Sequence, residues 1–573
     1  MIRTVRIRRR AVMPASIKGL HPVLARVLAA RGQQQAPDYS LKGLLRPTMK
    51  GLDAAAEILA EAIRSGQRIL VVGDFDADGA TGTTLAVRAL KALGARQVDW
   101  RVPDRFRHGY GLSPALVDEI SQPFPDVLVT VDQGVSSIEG VALAQAKGMK
   151  VVVTDHHLPG PQLPTAEAIV NPNLPGEDFG STALAGVGVI FYTAMAVRAR
   201  LRESGWFDRG PVPRLDGLLD LVALGTVADL VPLDENNRRL VYQGLARIRA
   251  GQCSPGVRAL LEVAGRNLRR VKSSDMGFAA GPRLNAAGRL EDMGIGIRCL
   301  LTDSEREARM LADQLHELNS QRQAIQADML KQADAQADAL AEQVDGQVKG
   351  LCVFDPDWHQ GVVGLVAGRL MERLQRPVLA FAPSESGSDE LKGSGRSPAG
   401  LHMRDLLVEI DTAQPGLMNR FGGHARAAGL SLQEQHLARF RSTFDDCLAR
   451  HEFGTEIVET DGELEPDELN TLTAEALEQG GPWGQSWPEP LFDGKFRVLE
   501  RRIVGQAHLK LRLLPEGGRE SVDAIAFRAA RQMDDDRSEQ VHVTYRLELN
   551  HWRGQVSPQL NIQHLVSTKT ADG

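Results

Sequence analysis

Cysteine is scarce in this chain. Cys253, Cys299, Cys352 and Cys447 are the only four in 573 residues. No two are close enough in sequence to form a thiolate metal knuckle, and so low a density argues against a disulfide framework. Cys352 lies in the apolar run Leu351–Phe354 and reads as a core thiol. The basic N-terminus, MIRTVRIRRR, lacks the apolar segment of a signal peptide. The uncharged stretch Phe179 to Val197 approaches membrane length, but its Gly, Ser and Thr content favours a buried helix. A cytoplasmic protein without a membrane span is expected. A basic excess is missing too: the formal net charge is -6, which excludes a generally basic nucleic-acid coat but leaves room for a local basic groove.

What the chain does have is an ordinary globular composition, 43% hydrophobic and 24% charged, and enough length for about three or four domains. Its organising stretch is Ile69 to Thr84, ILVVGDFDADGATGTT. The apolar run Ile69–Val72 is short, β-branched and uncharged, as in a buried strand of a parallel sheet. Asp74, Asp76 and Asp78 follow at alternate positions, where such sheets form their sites. Three carboxylates packed there repel one another unless cations neutralise them. A helix-capping aspartate in a turn is the alternative.

The pattern recurs. Val127–Val131 ends in Asp132-Gln133-Gly134, and Val151–Thr154 ends in Asp155-His156-His157. Strand, helix and strand in succession mark βα units. Leu218–Leu233 is helix-like and places Asp229 among apolar neighbours, where it needs a partner, a metal or a capping role. The loop DRFRHGYGLS reads either as a solvated basic loop or as a phosphate clamp, since guanidinium forks match phosphate oxygens.

A second Gly/Arg loop, Gly281–Arg289, precedes one long charged helix from Ser304 to about Gln343, which reads as a bridge between domains. A further α/β unit begins near Gly350. It contains the glycine-rich turns KGSGRS and FGGHARAAG, which suit anion binding or tight turns between strands. After Asp461, five short alternating strands indicate a small barrel, OB-like, with a β-sandwich as the alternative. Phe492, Phe496, Phe527, Tyr545 and Trp552 there are either core or base-stacking side chains.

The ordered set GDFDADG, VDQG, TDHH and TVAD resembles the DHH phosphoesterase superfamily, and GSGRS with GGHARAAG resembles its associated DHHA1 domain. The PRLNAAGR loop, the bridging helix and the terminal barrel are similar to the branch of that superfamily that degrades single-stranded DNA from its 5′ end. Gln133 departs from the pattern, where Asn or Cys is expected.

The resemblance implies an α/β fold: a parallel-sheet DHH domain joined by a long helix to a smaller α/β DHHA1 domain, with an OB-like C-terminal β-barrel. The expected divisions are a lead-in over 1–48, the DHH domain over 49–300, the connecting helix over 301–345, the DHHA1 domain over 346–460 and the barrel over 461–573. By the same resemblance Asp74, Asp76, Asp78, Asp132, His156 and Asp229 hold two Mn²⁺ ions, with Mg²⁺ as a substitute. His157 contacts the scissile phosphate or its leaving oxygen, with Asp74 and Asp132 also catalytic. Arg283, Asn285 and Arg289 touch the DNA backbone, Arg105, Ser394 and Arg396 cup the 5′-phosphate, and His424 faces the cleft. Implied partners are single-stranded DNA, a single-strand-binding protein and a recombination helicase. Two other readings remain: a DHH phosphodiesterase acting on nanoRNA or cyclic dinucleotides, and a scaffold that binds single strands without cutting them.

Overall fold

The computed structural model describes residues 3–566, apart from 12–16, 344–348, 386, 452–456, 506, 528 and 530–538. The ends of the expected connecting helix and barrel, at 344–345 and 567–573, lie outside the described residues. The chain forms two compact units. One comprises 37–320 with 481–489, and the other 1–36, 321–480 and 490–573.

The first unit is built on a five-stranded parallel sheet. Its strands run in the order Gln97–Arg101, Arg68–Val72, Val127–Val131, Lys150–Thr154 and Ala168–Val170. Every residue of Val127–Val131 is buried, as are Ile69–Val72, so these runs carry no polar alternation. Leu70, Val72, Leu128, Val151 and Val153 pack one face of the sheet on Leu112, Leu116 and Val141. Each such side chain contributes about 1.5–3 kcal/mol on full burial. The helices Ala77–Ala92, Gly186–Glu203 and Leu219–Ala228 pack on one another in the same unit. The uncharged stretch of the sequence thus lies largely in a core helix, and no helix among the described residues is long and apolar enough to cross a membrane.

Residues 481–489, which fall within the segment expected to form the barrel, cluster with this unit. Leu233 N donates to the Gln485 carbonyl at 2.8 Å, and the Arg238 guanidinium lies 4.2 Å from the centre of the Trp487 ring. Contacts so distant in sequence leave no local period to read.

The second unit contains two sheets. In the first, Leu351–Phe354 and Val378–Pro383 are parallel, and Glu390–Arg396, Ala427–Gln433 and Arg420–Gly423 continue antiparallel. In the second, Gln555–Val566, Val522–Ala526, His508–Pro515, Phe492–Val504 and Gln540–Trp552 follow one another, and the last pairs back onto the first. The closed circuit makes this a barrel and not a sandwich. Two more strands, Arg3–Arg9 and Ile457–Thr460, extend it. The N-terminal residues read as a lead-in therefore include a sheet strand. Its arginines hide the strand period, because Arg9 is held by Asp493 and Arg10, beyond the strand, by Asp461.

The long helix runs from Glu305 to Gln343, with residues to Ser320 in the first unit and the rest in the second.

Candidate active site

The carboxyl ends of three neighbouring strands and one helix terminus bring the acids together. Asp76 caps the helix Ala77–Ala92, accepting hydrogen bonds from Asp78 N at 2.9 Å and Gly79 N at 3.0 Å. Asp78, in the first turn, accepts from Gly186 N at 2.6 Å and Val187 N at 3.0 Å, at the start of the helix Gly186–Glu203. Gly186 has to be glycine: a Cβ there would stand 2.4 Å from Asp132 Cβ. Asp132 itself adopts a left-handed backbone, with φ of 62°. Such strain costs on the order of 1 kcal/mol or more and tends to persist at functional sites. Asp229 terminates the helix Leu219–Ala228, and Leu230 beyond it is again left-handed, with φ of 60°.

His156 Nε2 stands 3.0 Å from Asp132 Oδ1, 3.5 Å from Asp229 Oδ2 and 4.0 Å from Asp78 Oδ2. Three groups of ligand atoms lie within 4.8 Å of one another: Asp78, His156 and Asp229; Asp74, Asp76 and Asp132; and Asp132, His156 and His157. Asp132 is common to two of them. Asp74 Oδ1, Asp132 Oδ1 and His156 Nε2 are buried without a hydrogen-bond partner. Buried polar atoms left this way are costly unless an ion completes them.

The electrostatics follow from that crowding. Burial, reinforced by the Asp76 charge, raises Asp74 to about 8 and Asp78 to about 7. Burial and the Asp78 charge raise Asp132 and Asp229 well above the usual carboxylate range. Burial, then the charge of His157, lowers His156 to about 4, leaving the neutral imidazole a metal requires. The Leu184 backbone takes a hydrogen bond from its ring, which orients the free nitrogen toward the acids. A divalent cation reverses each carboxylate penalty, and this donor set fits one.

His157 is prepared differently. Asp155 Oδ1 accepts from His157 Nδ1 at 2.8 Å and from the His156 and His157 backbone N–H groups at 2.7 and 3.0 Å, while Oδ2 accepts from Val135 N at 2.8 Å. Burial disfavours both charges, but their mutual hydrogen bond and attraction, with the backbone hydrogen bonds to Asp155 and the charges of Asp74 and Asp76 on His157, together outweigh it, so Asp155 is lowered and His157 raised. The Tyr110 hydroxyl lies 3.0 Å from His157 Nδ1 and donates to the Asp132 carbonyl at 3.3 Å. The sequence reading gave neither Asp155 nor Tyr110 a role. Asp155 stands at a strand tip like its neighbours, and Tyr110 lies within the Arg/Gly loop, so both positions carried a signal.

Arg105 closes the rim. Its guanidinium lies 3.9 Å from the centre of the Phe75 ring, and Nε donates to the Gly288 carbonyl at 3.0 Å. Burial lowers its pKa, against the charges of Asp74 and Asp76. Asn285 Oδ1 accepts from Ala77 N at 2.8 Å, which ties the helix Gly281–Leu290 to the acid-bearing loop. Arg283 donates to the Ala279 carbonyl at 2.7 Å and to His316 Nδ1 at 3.1 Å, and Arg289 is half-buried in the last turn of that helix. Gln133 Nε2 donates to the Val72 carbonyl at 3.1 Å, so it fastens two strand ends.

Ser394, Arg396 and His424 belong to the other unit. Arg396 donates to Ser394 Oγ at 2.9 Å along the strand Glu390–Arg396, and burial lowers its pKa. His424 is exposed in the turn between Arg420–Gly423 and Ala427–Gln433.

Family models match at three places: the DHH family, N-terminal domain over 68–226, the DHHA1 domain over 324–450, and the RecJ OB domain over 460–564. A protein of Dickeya dadantii (strain 3937) described as single-stranded-DNA-specific exonuclease RecJ is 51% identical over 569 residues, covering 98% of each chain. The crystal structure of RecJ in complex with Mn²⁺ from Thermus thermophilus is similar with a TM-score of 0.80 and 33% identity, covering 100% of this chain and 80% of that one. The structure of RecJ with Mg²⁺ from the same organism gives 0.76 and 32%, covering 100% and 79%.

Proposed function

The chain belongs to the RecJ family of single-stranded-DNA-specific exonucleases, and from that premise we propose that it removes nucleotides one at a time from the 5′ end of single-stranded DNA. The observation that carries the reading is the set of buried, unpartnered ligand atoms on Asp74, Asp132 and His156. Neither a dinucleotide-cleaving enzyme nor a scaffold accounts for both this set and the closed barrel that follows it.

Asp74, Asp76, Asp78, Asp132, His156 and Asp229 hold the metal. The mixed carboxylate and imidazole donors suit Mn²⁺, with Mg²⁺ as a substitute. When bound, the metal supplies Lewis acidity that activates water and neutralises charge on the reacting phosphate. The chain does the rest. A water oxygen adds to phosphorus, and the bond from phosphorus to the 3′ oxygen of the terminal nucleotide breaks. A 5′-mononucleotide leaves, and the shortened strand keeps a 5′-phosphate. His157, held and charged by Asp155, donates a hydrogen bond or a proton to the departing oxygen or its phosphate. Arg105 binds the terminal phosphate, and in the other unit Ser394 and Arg396 offer a hydroxyl and a guanidinium suited to a phosphate. Arg283, Asn285 and Arg289 take the backbone near the cut, and His424 faces the strand. Contacts of this kind give affinity without sequence preference. A cytoplasmic location, with a single-strand-binding protein and a recombination helicase as partners, belongs to the same proposal.

The test is an oligonucleotide labelled at its 5′ end and incubated with Mn²⁺. Labelled mononucleotide is expected as the first product. Release from the 3′ end first, or equal cutting of duplex ends, overturns the reading.

A further inference from the structure

Phe278 is 79% exposed, more than any other large hydrophobic side chain among the described residues. It sits in a single π-helical turn, Met276–Ala280, directly before the helix that carries Arg283, Asn285 and Arg289. Such turns are rare and often mark functional sites. This one packs on the end of the helix that delivers Asp229. A Cβ on Gly277 would lie 3.4 Å from Val227 Cγ1, and one on Gly281 3.0 Å from Ala228 Cβ. Immediately after Asp229, Leu230 is 63% exposed and held at a positive φ that leucine avoids. Two solvated apolar side chains therefore flank the contact between these elements, next to a metal-binding acid.

The charge around them is positive. Arg283 follows on the next helix, where burial lowers its pKa, and the exposed Arg266 pairs with Asp275 at 3.2 Å. Arg269 and Arg270 are exposed on the preceding turn. An exposed phenyl ring, on the turn before Arg283 and packed on the helix that ends at Asp229, suits a nucleobase attached to its own phosphates. Stacking on a phenyl ring needs no hydrogen-bond code, so it accepts any base.

We propose that Phe278, on the turn packed against the helix that Leu230 follows, is the stacking platform for a base of the single strand on the 3′ side of the cut, while Arg283 and Arg266 take the adjoining phosphate. This rests on the exonuclease reading and names a strand-binding position within it. The base has to be unpaired to reach the ring, so the platform also selects single strands.

The test uses the full chain with Mn²⁺ and 5′-phosphorylated 20-mers, each carrying one abasic residue at a position from 2 to 6. Strand affinity is measured in parallel by fluorescence anisotropy with chelator present. For the wild type, one position or two adjacent ones should raise KM about tenfold when the base is missing, within the range for loss of one stacked base. Phe278→Ala should raise KM and Kd for the intact strand by about the same factor and flatten the abasic profile. Phe278→Trp should restore both. Melting temperatures control for folding. An F278A protein with wild-type KM, Kd and abasic profile overturns the proposal, and so does a Phe278 that serves a protein partner instead, which gives the same result. A wild type that binds the strand with the predicted Phe278 dependence but does not cut it overturns the exonuclease reading and leaves the platform standing.

Discussion

The protein buries two acidic clusters and treats them in opposite ways. In the barrel unit, Asp461 and Asp493 have fully buried side chains. Asp461 meets Arg10 at 2.8 Å and Arg31 at 2.7 Å, and Asp493 meets Arg9 at 2.6 Å, His542 at 3.1 Å and Thr460 at 2.7 Å. Burial opposes ionisation of Asp493, but the hydrogen bonds from His542, Arg9 and Thr460 more than offset it, and its pKa is lowered. In the catalytic unit, Asp74, Asp78, Asp132 and Asp229 crowd together with raised pKa values, and some of their oxygens bond to nothing in the chain. The first cluster holds the N-terminal strand in place. The second is incomplete as folded, and a protein that keeps such a cluster must fill it from outside.

The same conservative substitution separates the two most sharply. Asp132→Asn should lower exonuclease turnover on the order of a thousandfold, since it weakens a ligand shared, as His156 is, by two metal groups. It should also raise the melting temperature of the metal-free protein, because it removes a repelled charge. A fall in melting temperature would break the comparison. Asp155→Asn follows. It frees His157 without touching the acids, so turnover should drop about 10²-fold while Mn²⁺ affinity stays near wild type. Equal losses in both would make Asp155 part of the metal site.

In the barrel, Asp493→Asn should cost about 2 kcal/mol in urea unfolding, the worth of hydrogen bonds to a buried charge. It should leave Mn²⁺ affinity unchanged. The pH effects distinguish the clusters by sign. Asp74 is raised from 3.8 to about 8, so the metal-free fold binds its proton more tightly than the unfolded chain, and stability falls as pH rises from about 4 to about 8. Asp493 is lowered from 3.8, so its contribution is present above about pH 4 and is lost as pH falls through its folded value. Saturating Mn²⁺ should abolish the first trend and spare the second, as read by melting temperature across pH.

The gathering of the acids was legible in the sequence because its parts are local. Asp74, Asp132 and Asp155 each stand at the end of a short, uncharged, β-branched run, the mark of a buried parallel strand. Barrel closure was half legible: the five strands were visible, but not that Gln540–Trp552 pairs with Gln555–Val566 in a circuit that includes a parallel pair. The neutralised cluster was hidden. Arg9 and Asp493 are 484 positions apart, and nothing near either one announces the other. Residues 481–489 escaped for the same reason, because their anchors, Leu233 and Arg238, lie far upstream. The part Asp155 plays is a side-chain geometry that spacing does not encode.

The central claim is that the catalytic acids are kept for cations and not merely held protonated. Anomalous scattering from a crystal soaked in Mn²⁺ near neutral pH tests it directly. The account predicts manganese within about 2–2.4 Å of oxygens of Asp132, with His156 Nε2 and Asp229 among the other ligands. An anomalous map empty at that position, with Asp132 and its neighbours sharing protons through short carboxyl hydrogen bonds, would contradict it.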